Sequence, residues 1–487
     1  MNLVSDTLLG VGRMTSSKVA VTTDDGRRLT YGELDRLSGQ LANALTRRHG
    51  VSMGDRVAIQ ARKSPEILAL NLACARVGAI YLPLNSAYTD REVRDLLDDA
   101  TPALLVRDEP IEHVTPRAGL SRLLADAAEH SADFDDAVCD AQTPAAMLFT
   151  SGTTGRPKGA VLTHGNLAPN CRTLSEVWGF SADDVVLHVL PLFHTHGLFV
   201  AAYCALSSGA SLLLMESFDA DDVLRRLSEA TVFMGVPTHY VRLLGTEGLN
   251  RETTATIRLF LSGSAPMRRS THQEFTERTG HEIVERYGMT ETGMITSNPI
   301  TGTRRVGTVG PALPGVMVRL DDTPVGGVEV RGPNVFSHYW NRRELSTTEF
   351  TSDGWFKTGD VGTLDDDGYL EIVGRARDLI ISGGYNVYPK EVELVLDAFA
   401  GVEESAVIGV ANDDLGESVV AVVVPTPDAH VDEEALIDFA RTELARYKVP
   451  RRIVVVDELP RNTMGKVQKA ELRRRLSAGP PDGVVAD

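Results

Sequence analysis

The chain has little cysteine. Cys74, Cys139, Cys171 and Cys204 are scattered over 487 positions with no C-x-x-C pair. Such spacing argues against a disulfide framework or a thiolate metal site and leaves buried thiols as the reading. Positive charge is also scarce: 49 Lys and Arg stand against 67 Asp and Glu, a formal net charge of −18. Nucleic acid and anionic membrane surfaces demand a basic face, so neither is an expected partner. Small anions stay open as ligands, because a local cluster of Lys and Arg can dominate a pocket. No run of about 18 apolar residues occurs, so no membrane span is expected. The N-terminal MNLVSDTLLGVGRMTSSK lacks the apolar core of a signal peptide, and the expected compartment is the cytosol (cytoplasmic).

Hydrophobic content of 43% and charged content of 24% are those of a globular protein. The length exceeds one ordinary core, so at least two domains are expected. Residues 19–140 alternate short apolar strands with amphipathic helices, which reads as α/β with a largely parallel sheet. Expected strands include 19–21, 29–31, 57–59 and 79–83, with helices from Tyr31 and over 65–77. The pattern recurs with strands at 185–190, 211–215, 231–235, 259–261 and 283–285 and a helix-like 198–205. From about 305 to 373 short glycine-punctuated β segments suggest a small β-rich subdomain. A compact α+β unit follows, with helices at 388–399 and 433–447. The expected organisation is a large N-terminal multi-subdomain α/β domain over 1–374 and a boundary at 375–378. A small C-terminal α+β domain over 379–478 and a disordered tail at 479–487 complete it.

The loop TSGTTGRPKG at 150–159 follows an apolar run. It is not a Walker A loop, because Lys158 lies between Pro157 and Gly159. Glycine backbone, hydroxyls and a cation are the parts of a polyphosphate cradle. Thr150, Ser151, Thr153 and Thr154 can bind phosphate oxygens, and Lys158 can neutralise a leaving pyrophosphate; a surface linker is the plain alternative. In ERYGMTET at 285–292, Tyr287 offers a flat face to a base, Thr290 a donor to an α-phosphate, and Glu291 a hard oxygen for Mg²⁺. The alternative there is a turn followed by a capped helix. Asp360 in GWFKTGD can accept two ribose hydroxyls with Arg375 near the same sugar, or both can sit in surface turns. Lys466 in PRNTMGK reads by default as a solvated lysine.

Taken together, these segments resemble the adenylate-forming (acyl-CoA synthetase) superfamily. The order TSGTTGRPKG, PLFHTHG, GSAP, ERYGMTET, GWFKTGD, GRARD, GGYNVYPKEVE and PRNTMGK spans roughly residues 15–475. The resemblance implies two half-reactions. A carboxylate attacks the α-phosphate of ATP, giving an acyl-adenylate and pyrophosphate; the thiol of CoA then displaces AMP. It implies that Lys466 bridges carboxylate and phosphate, with Thr290, Glu291 and His194 also catalytic and Glu291 on Mg²⁺. The ATP site would comprise Thr150, Ser151, Gly152, Thr153, Thr154, Lys158, Gly263, Ser264, Ala265, Glu285, Arg286, Tyr287, Gly288, Met289, Asp360 and Arg375. The small domain would be mobile, with its hinge at Arg377 where relatives carry Asp or Lys, and would bring Gly383, Gly384 and Tyr385 to the CoA.

A narrower resemblance is to malonyl-CoA synthetases, enzymes tied to fatty acid metabolism. It rests on PLFHTHGLFVA, GVPTHYVRLL, LSGSAPM, ERYGMTETGMITSNP and PRNTMGKVQK. A dicarboxylate needs a fixed cation opposite its reacting end. A helix starting at Pro237 would set Arg242 about a turn and a half in, able to grip the distal carboxylate bidentately. Ser264 and His196 would add hydrogen bonds, and Met294 would bound the pocket. A solvated Arg242, and packing or gating roles for His194 and His196, are the alternatives. Gly293 would widen the pocket enough for methylmalonate. Malonate, ATP and CoA are the expected small-molecule partners, for a monomer or homodimer. Another short-chain or aryl acid, or a carrier protein in place of CoA, stays open.

Overall fold

Side-chain capping fixes where several helices begin. Thr30 accepts from the Glu33 backbone N–H while the Glu33 carboxylate caps Thr30, and Thr89 with Glu92 and Thr163 with Asn166 repeat the device. Pro65 and Pro237 open their helices in the first turn, where a missing N–H costs nothing. The computed structural model describes residues 1–150, 157–322, 324–382, 385–412, 415–427, 429–462 and 465–477.

The strands run, in chain order, β1 (Val19–Thr23), β2 (Arg28–Thr30), β3 (Arg56–Ile59), β4 (Ile80–Pro83), β5 (Leu104–Val106), β6 (Arg117–Ala118), β7 (Pro144–Thr150), β8 (Lys158–Thr163), β9 (Val185–His188), β10 (Ser211–Leu214), β11 (Val232–Gly235), β12 (Leu259–Ser262), β13 (Val284–Met289) and β14 (Gly293–Ser297). Then come β15 (Met317–Leu320), β16 (Gly326–Arg331), β17 (His338–Tyr339), β18 (Phe356–Leu364), β19 (Leu370–Arg375), β20 (Ile380–Ser382), β21 (Tyr385–Val387), β22 (Val402–Asn412), β23 (Gly416–Pro425) and β24 (Arg452–Val455).

Among the described residues, the first compact unit holds two sheets. One has the order β14-β13-β12-β11-β9-β10-β1-β2, parallel except at its two ends. The other has the order β17-β8-β7-β4-β3-β5-β6, with β7–β8 an antiparallel hairpin. The expected parallel α/β class is therefore observed. Helix Pro65–Val77 matches its expected bounds and is buried almost throughout, which explains its apolar sequence on all sides. In the first sheet β9 lies between β10 and β11. The chain thus crosses from one side of β9 to the other, and this reversal of direction makes the crevice where open α/β sheets bind ligands. The segments after the carboxyl ends of β9, β11 and β12 carry His194, Pro237 and Gly263.

The second unit builds on the sheet order β21-β20-β23-β22, with β24 parallel to β23. Its core includes Ile380, Val392, Leu396, Val407, Val419, Ala421 and Ile453. Close contacts divide the chain into Met1–Val318 with Val330–Phe356, and Arg319–Glu329 with the residues from Lys357 onward. This division is not at 375–378. The β18–β19 hairpin pairs Asp360 with Arg375, and it groups with the later residues rather than the earlier ones. The tail at 479–487 lies outside the described residues.

Some local readings change. Helix Leu3–Met14, capped by Asn2 and burying Val4, Leu8 and Leu9, had no counterpart among the expected elements. Glu433–Glu443 stops short of the expected 447. Residues 196–202 form a π-helix before the α-helix Tyr203–Ser207. ERYGMTET is the end of β13 and its turn into β14, so the turn is present but a strand and not a helix follows it. All four cysteines are buried free thiols, as expected.

Two glycines of this hairpin are there for packing. A Cβ on Gly288 would lie 2.1 Å from the Gly293 carbonyl oxygen, next to a register shift in the hairpin. Gly293 itself has φ +56° and would press a Cβ to 2.7 Å from Asn170 Oδ1, so its smallness answers the Asn170 side chain. Gly288→Ala is expected to lower the thermal midpoint by about 5 °C or more, read by calorimetry. An unchanged midpoint would contradict this packing account.

Candidate functional site

The β7–β8 hairpin sets Thr150 opposite Lys158 at the base of the glycine-rich loop. Ser151, Gly152, Thr153 and Thr154 lie outside the described residues. Lys158 is buried, and its Nζ stands 2.9 Å from Glu349 Oε1 and 5.0 Å above the Tyr339 ring. Tyr339 is brought there by β17, which pairs antiparallel with β8. The Tyr339 hydroxyl donates to Glu291 Oε1 at 3.0 Å, and Thr150 Oγ1 donates to the same oxygen at 3.1 Å. Burial and the adjoining Glu291 carboxylate push the Tyr339 phenol up, so it stays a donor. The structure therefore joins the expected phosphate lysine and the expected metal carboxylate through one tyrosine. Tyr339 and Glu349 were absent from the sequence reading, and no motif marks them. Glu349 is 191 residues from its partner, a contact that only the fold creates.

Around the GSAP loop lies a polar region. Ser264 has φ +71°, a left-handed backbone rare for a residue with a side chain, as is common at ligand clamps. Its Oγ is 3.4 Å from His196 Nδ1. The Arg286 guanidinium packs so closely on Gly263 that a Cβ there would lie 2.4 Å from Nη1. Arg286 was expected among the nucleotide residues; its side chain is 3% exposed and faces His196, Tyr240 and Cys204. Burial pulls its pKa down to about 10, opposed by Tyr240 and Cys204. No carboxylate answers it among the described residues, and its Nε and Nη2 have no hydrogen-bond partner. His188 Nδ1, Thr195 Oγ1, His196 Nε2, His239 Nδ1 and Ser262 Oγ are likewise buried and unpartnered. Buried polar groups are nearly always satisfied, so a group of unmatched atoms marks a place for a polar ligand.

The other expected residues fall as follows. Arg242 is exposed on helix Pro237–Leu244, and its charge reaches His239, which stacks on Phe218 with 4.0 Å between ring centroids. Met294 is buried and bracketed by Asn170, which bonds both its N–H and its carbonyl. His194 accepts from the His196 backbone N–H at 3.3 Å. The buried Glu285 carboxylate accepts from Gly307 N–H at 3.3 Å, a bracing contact. Tyr287, Gly288, Met289, Thr290 and Ala265 are half-buried at the strand ends.

In the second unit, Asp360 is 3% exposed and pairs with Arg375 Nε at 2.9 Å across β18–β19. Arg377 is exposed in the turn Ala376–Asp378. Tyr385 is exposed and stacks on Tyr447, with centroids 4.7 Å apart. Gly383 and Gly384 lie outside the described residues. Lys466 is exposed, and its backbone N–H donates to Asn462 Oδ1 at 3.0 Å in a turn closed by Gly465 at φ +73°.

Burial makes several histidines poor bases. Burial, then Lys63, pushes His188 down to about 3; burial, then Arg242, does the same to His239; burial and Arg286 hold His196 well below its usual range. These rings are neutral when folded and take up protons on unfolding below about pH 6.5. Their contribution is therefore complete above that pH and is lost as pH falls from about 6.5 toward 3. Denaturant unfolding between pH 7 and 5.5 is expected to show stability falling by roughly 1 kcal/mol per such ring. A flat profile over that interval would contradict their buried, neutral state.

Comparison with known proteins shows the family. The AMP-binding enzyme family matches residues 11–340, and the AMP-binding enzyme C-terminal domain matches 391–466. The chain is 34% identical over 518 residues to a malonate–CoA ligase of Arabidopsis thaliana, covering 93% of this chain and 85% of that one. It is 37% identical over 480 residues to a feruloyl-CoA synthase of an Amycolatopsis species, covering 95% and 97%. The crystal structure of ATP-bound MatB from Rhodopseudomonas palustris matches with a TM-score of 0.95 at 46% identity, over 98% of this chain and 99% of that one. With both parts matched in order, the chain belongs to the AMP-binding enzyme family.

Proposed function

We propose that the protein is an AMP-forming acid–thiol ligase that joins malonate, or a malonate with a small 2-substituent, to CoA. The observation that carries the choice of acid is the buried, unanswered guanidinium of Arg286 beside Gly263 and Ser264. Leaving a cation buried without a partner costs several kcal/mol, and a carboxylate brought by the substrate would offset it. A monocarboxylate would leave that cation unmatched. The unpartnered His196 and Ser262 atoms offer further polar contacts, whereas a long apolar acyl chain would bury all of them unsatisfied.

In this reading the reacting carboxylate oxygen attacks the α-phosphorus of ATP, and the bond to pyrophosphate breaks. The thiolate of CoA then attacks the acyl carbon, and AMP leaves. Thr150 and Lys158 would meet the phosphates, Tyr287 with Gly263–Ala265 the base, and Asp360 and Arg375 the ribose. Lys466 would offset the repulsion between the two anions that react. Arg377 would be the hinge of a domain alternation that exchanges Lys466 for the segment around Tyr385. Arg242 would add a second, outer cation at the mouth of the acyl region. Glu291 fits Mg²⁺: it is a buried hard-oxygen donor, and this ion is commonly held by one or two carboxylates plus substrate phosphates. When bound, Mg²⁺ would neutralise phosphate charge.

A panel of short mono- and diacids, assayed by CoA-dependent AMP formation, tests the reading; preference for monoacids, or turnover only with a carrier protein, would overturn it. Arg286→Met separates function from folding. Removing a buried cation that lacks a counter-ion is expected to raise stability by about 1–4 kcal/mol. Malonate-dependent AMP formation is expected to fall by about 100-fold or more. A folded Arg286→Met variant with wild-type malonate turnover would contradict the assignment.

A further inference from the structure

Lys158 is expected to meet the phosphates, yet it already has a partner. Glu349 Oε1 holds its Nζ at 2.9 Å, and the lysine side chain is 5% exposed against 30% for the glutamate. The pair is thus buried on the lysine side and open to water on the glutamate side. Glu349 ends the short helix Arg343–Thr348, and the following Phe350 packs on Phe336 and Phe356. Phe336 N–H in turn donates to the Glu291 carbonyl at 2.7 Å, so the segment that delivers Glu349 is fastened beneath the metal carboxylate. These contacts give Glu349 a fixed backbone and a wet, exchangeable carboxylate.

We propose that Glu349 is a positioning residue for the phosphate cradle: it is the counter-ion that keeps Lys158 in place when no phosphate is bound and that competes with pyrophosphate for it afterwards. This rests on reading Lys158 as the lysine that meets the pyrophosphate. A lysine buried without a partner would be costly and would move. A lysine shared with a half-exposed carboxylate is ready for an anion and holds it less tightly, which favours release of the product.

The test is titration calorimetry of the full chain with inorganic pyrophosphate and Mg²⁺. Glu349→Gln keeps the shape and removes the charge; it is expected to tighten pyrophosphate binding by about fivefold or more and to lower the KM for ATP more than it changes kcat. Glu349→Asp, charged but shorter, is expected to fall between. In a Lys158→Met background, Glu349→Gln is expected to change binding by less than about twofold, since the partner is gone. Unchanged or weaker binding by Glu349→Gln, or equal tightening without Lys158, would overturn the proposal while leaving the cradle reading intact. Absence of pyrophosphate binding by the wild-type chain would overturn the cradle reading and this proposal with it.

Discussion

The large unit buries a positive charge that no carboxylate among the described residues answers. Arg286 is carried by β13, packed under Gly263, and walled by His196, Tyr240 and Cys204. None of these neighbours is a carboxylate. His188, His196 and His239 are pushed toward their neutral forms, and Arg286 lies among polar atoms that lack partners. Such a site is unfavourable for folding and favourable for an anion. Under the proposed function, stability and selectivity would be set by the same side chain in opposite directions.

The neighbouring cradle uses the contrary strategy. There the charges are matched in advance: Lys158 with Glu349, and Glu291 with donors from Thr150 and Tyr339. Matching keeps the hairpin base in place without phosphate. The two halves of the site differ in what the ligand supplies. Under the proposed function the acyl side awaits a charge that a dicarboxylate brings, while on the phosphate side Lys158 exchanges the Glu349 carboxylate for a phosphate oxygen.

Much of this was legible in the amino-acid order. Apolar spacing marked the helix from Tyr31, and the alternation of short apolar strands with amphipathic helices gave the α/β class. The ordered motifs pointed to the family and to the candidate residues. What stayed hidden depends on distance along the chain or on burial. Glu349 meets Lys158 only because β17 pairs with β8. Arg286 sits in a motif read as nucleotide-binding, and nothing in its neighbours' spelling reveals that its guanidinium turns under Gly263. Gly288 reads as part of the nucleotide site and Gly293 as room for a 2-substituent, whereas the facing strand and Asn170 already require both to be small. The π-helix at 196–202 is a local widening that apolar periodicity does not encode.

The claim that a second carboxylate is what the acyl region selects can be tested on the substrate instead of the protein. Malonate and its monomethyl ester share the reacting carboxylate and nearly the same size, but only malonate carries the distal charge. Acid-dependent exchange of labelled pyrophosphate into ATP reads the first half-reaction alone. The account predicts exchange with malonate faster than with the ester by about 100-fold or more. Equal rates for the two acids would contradict it.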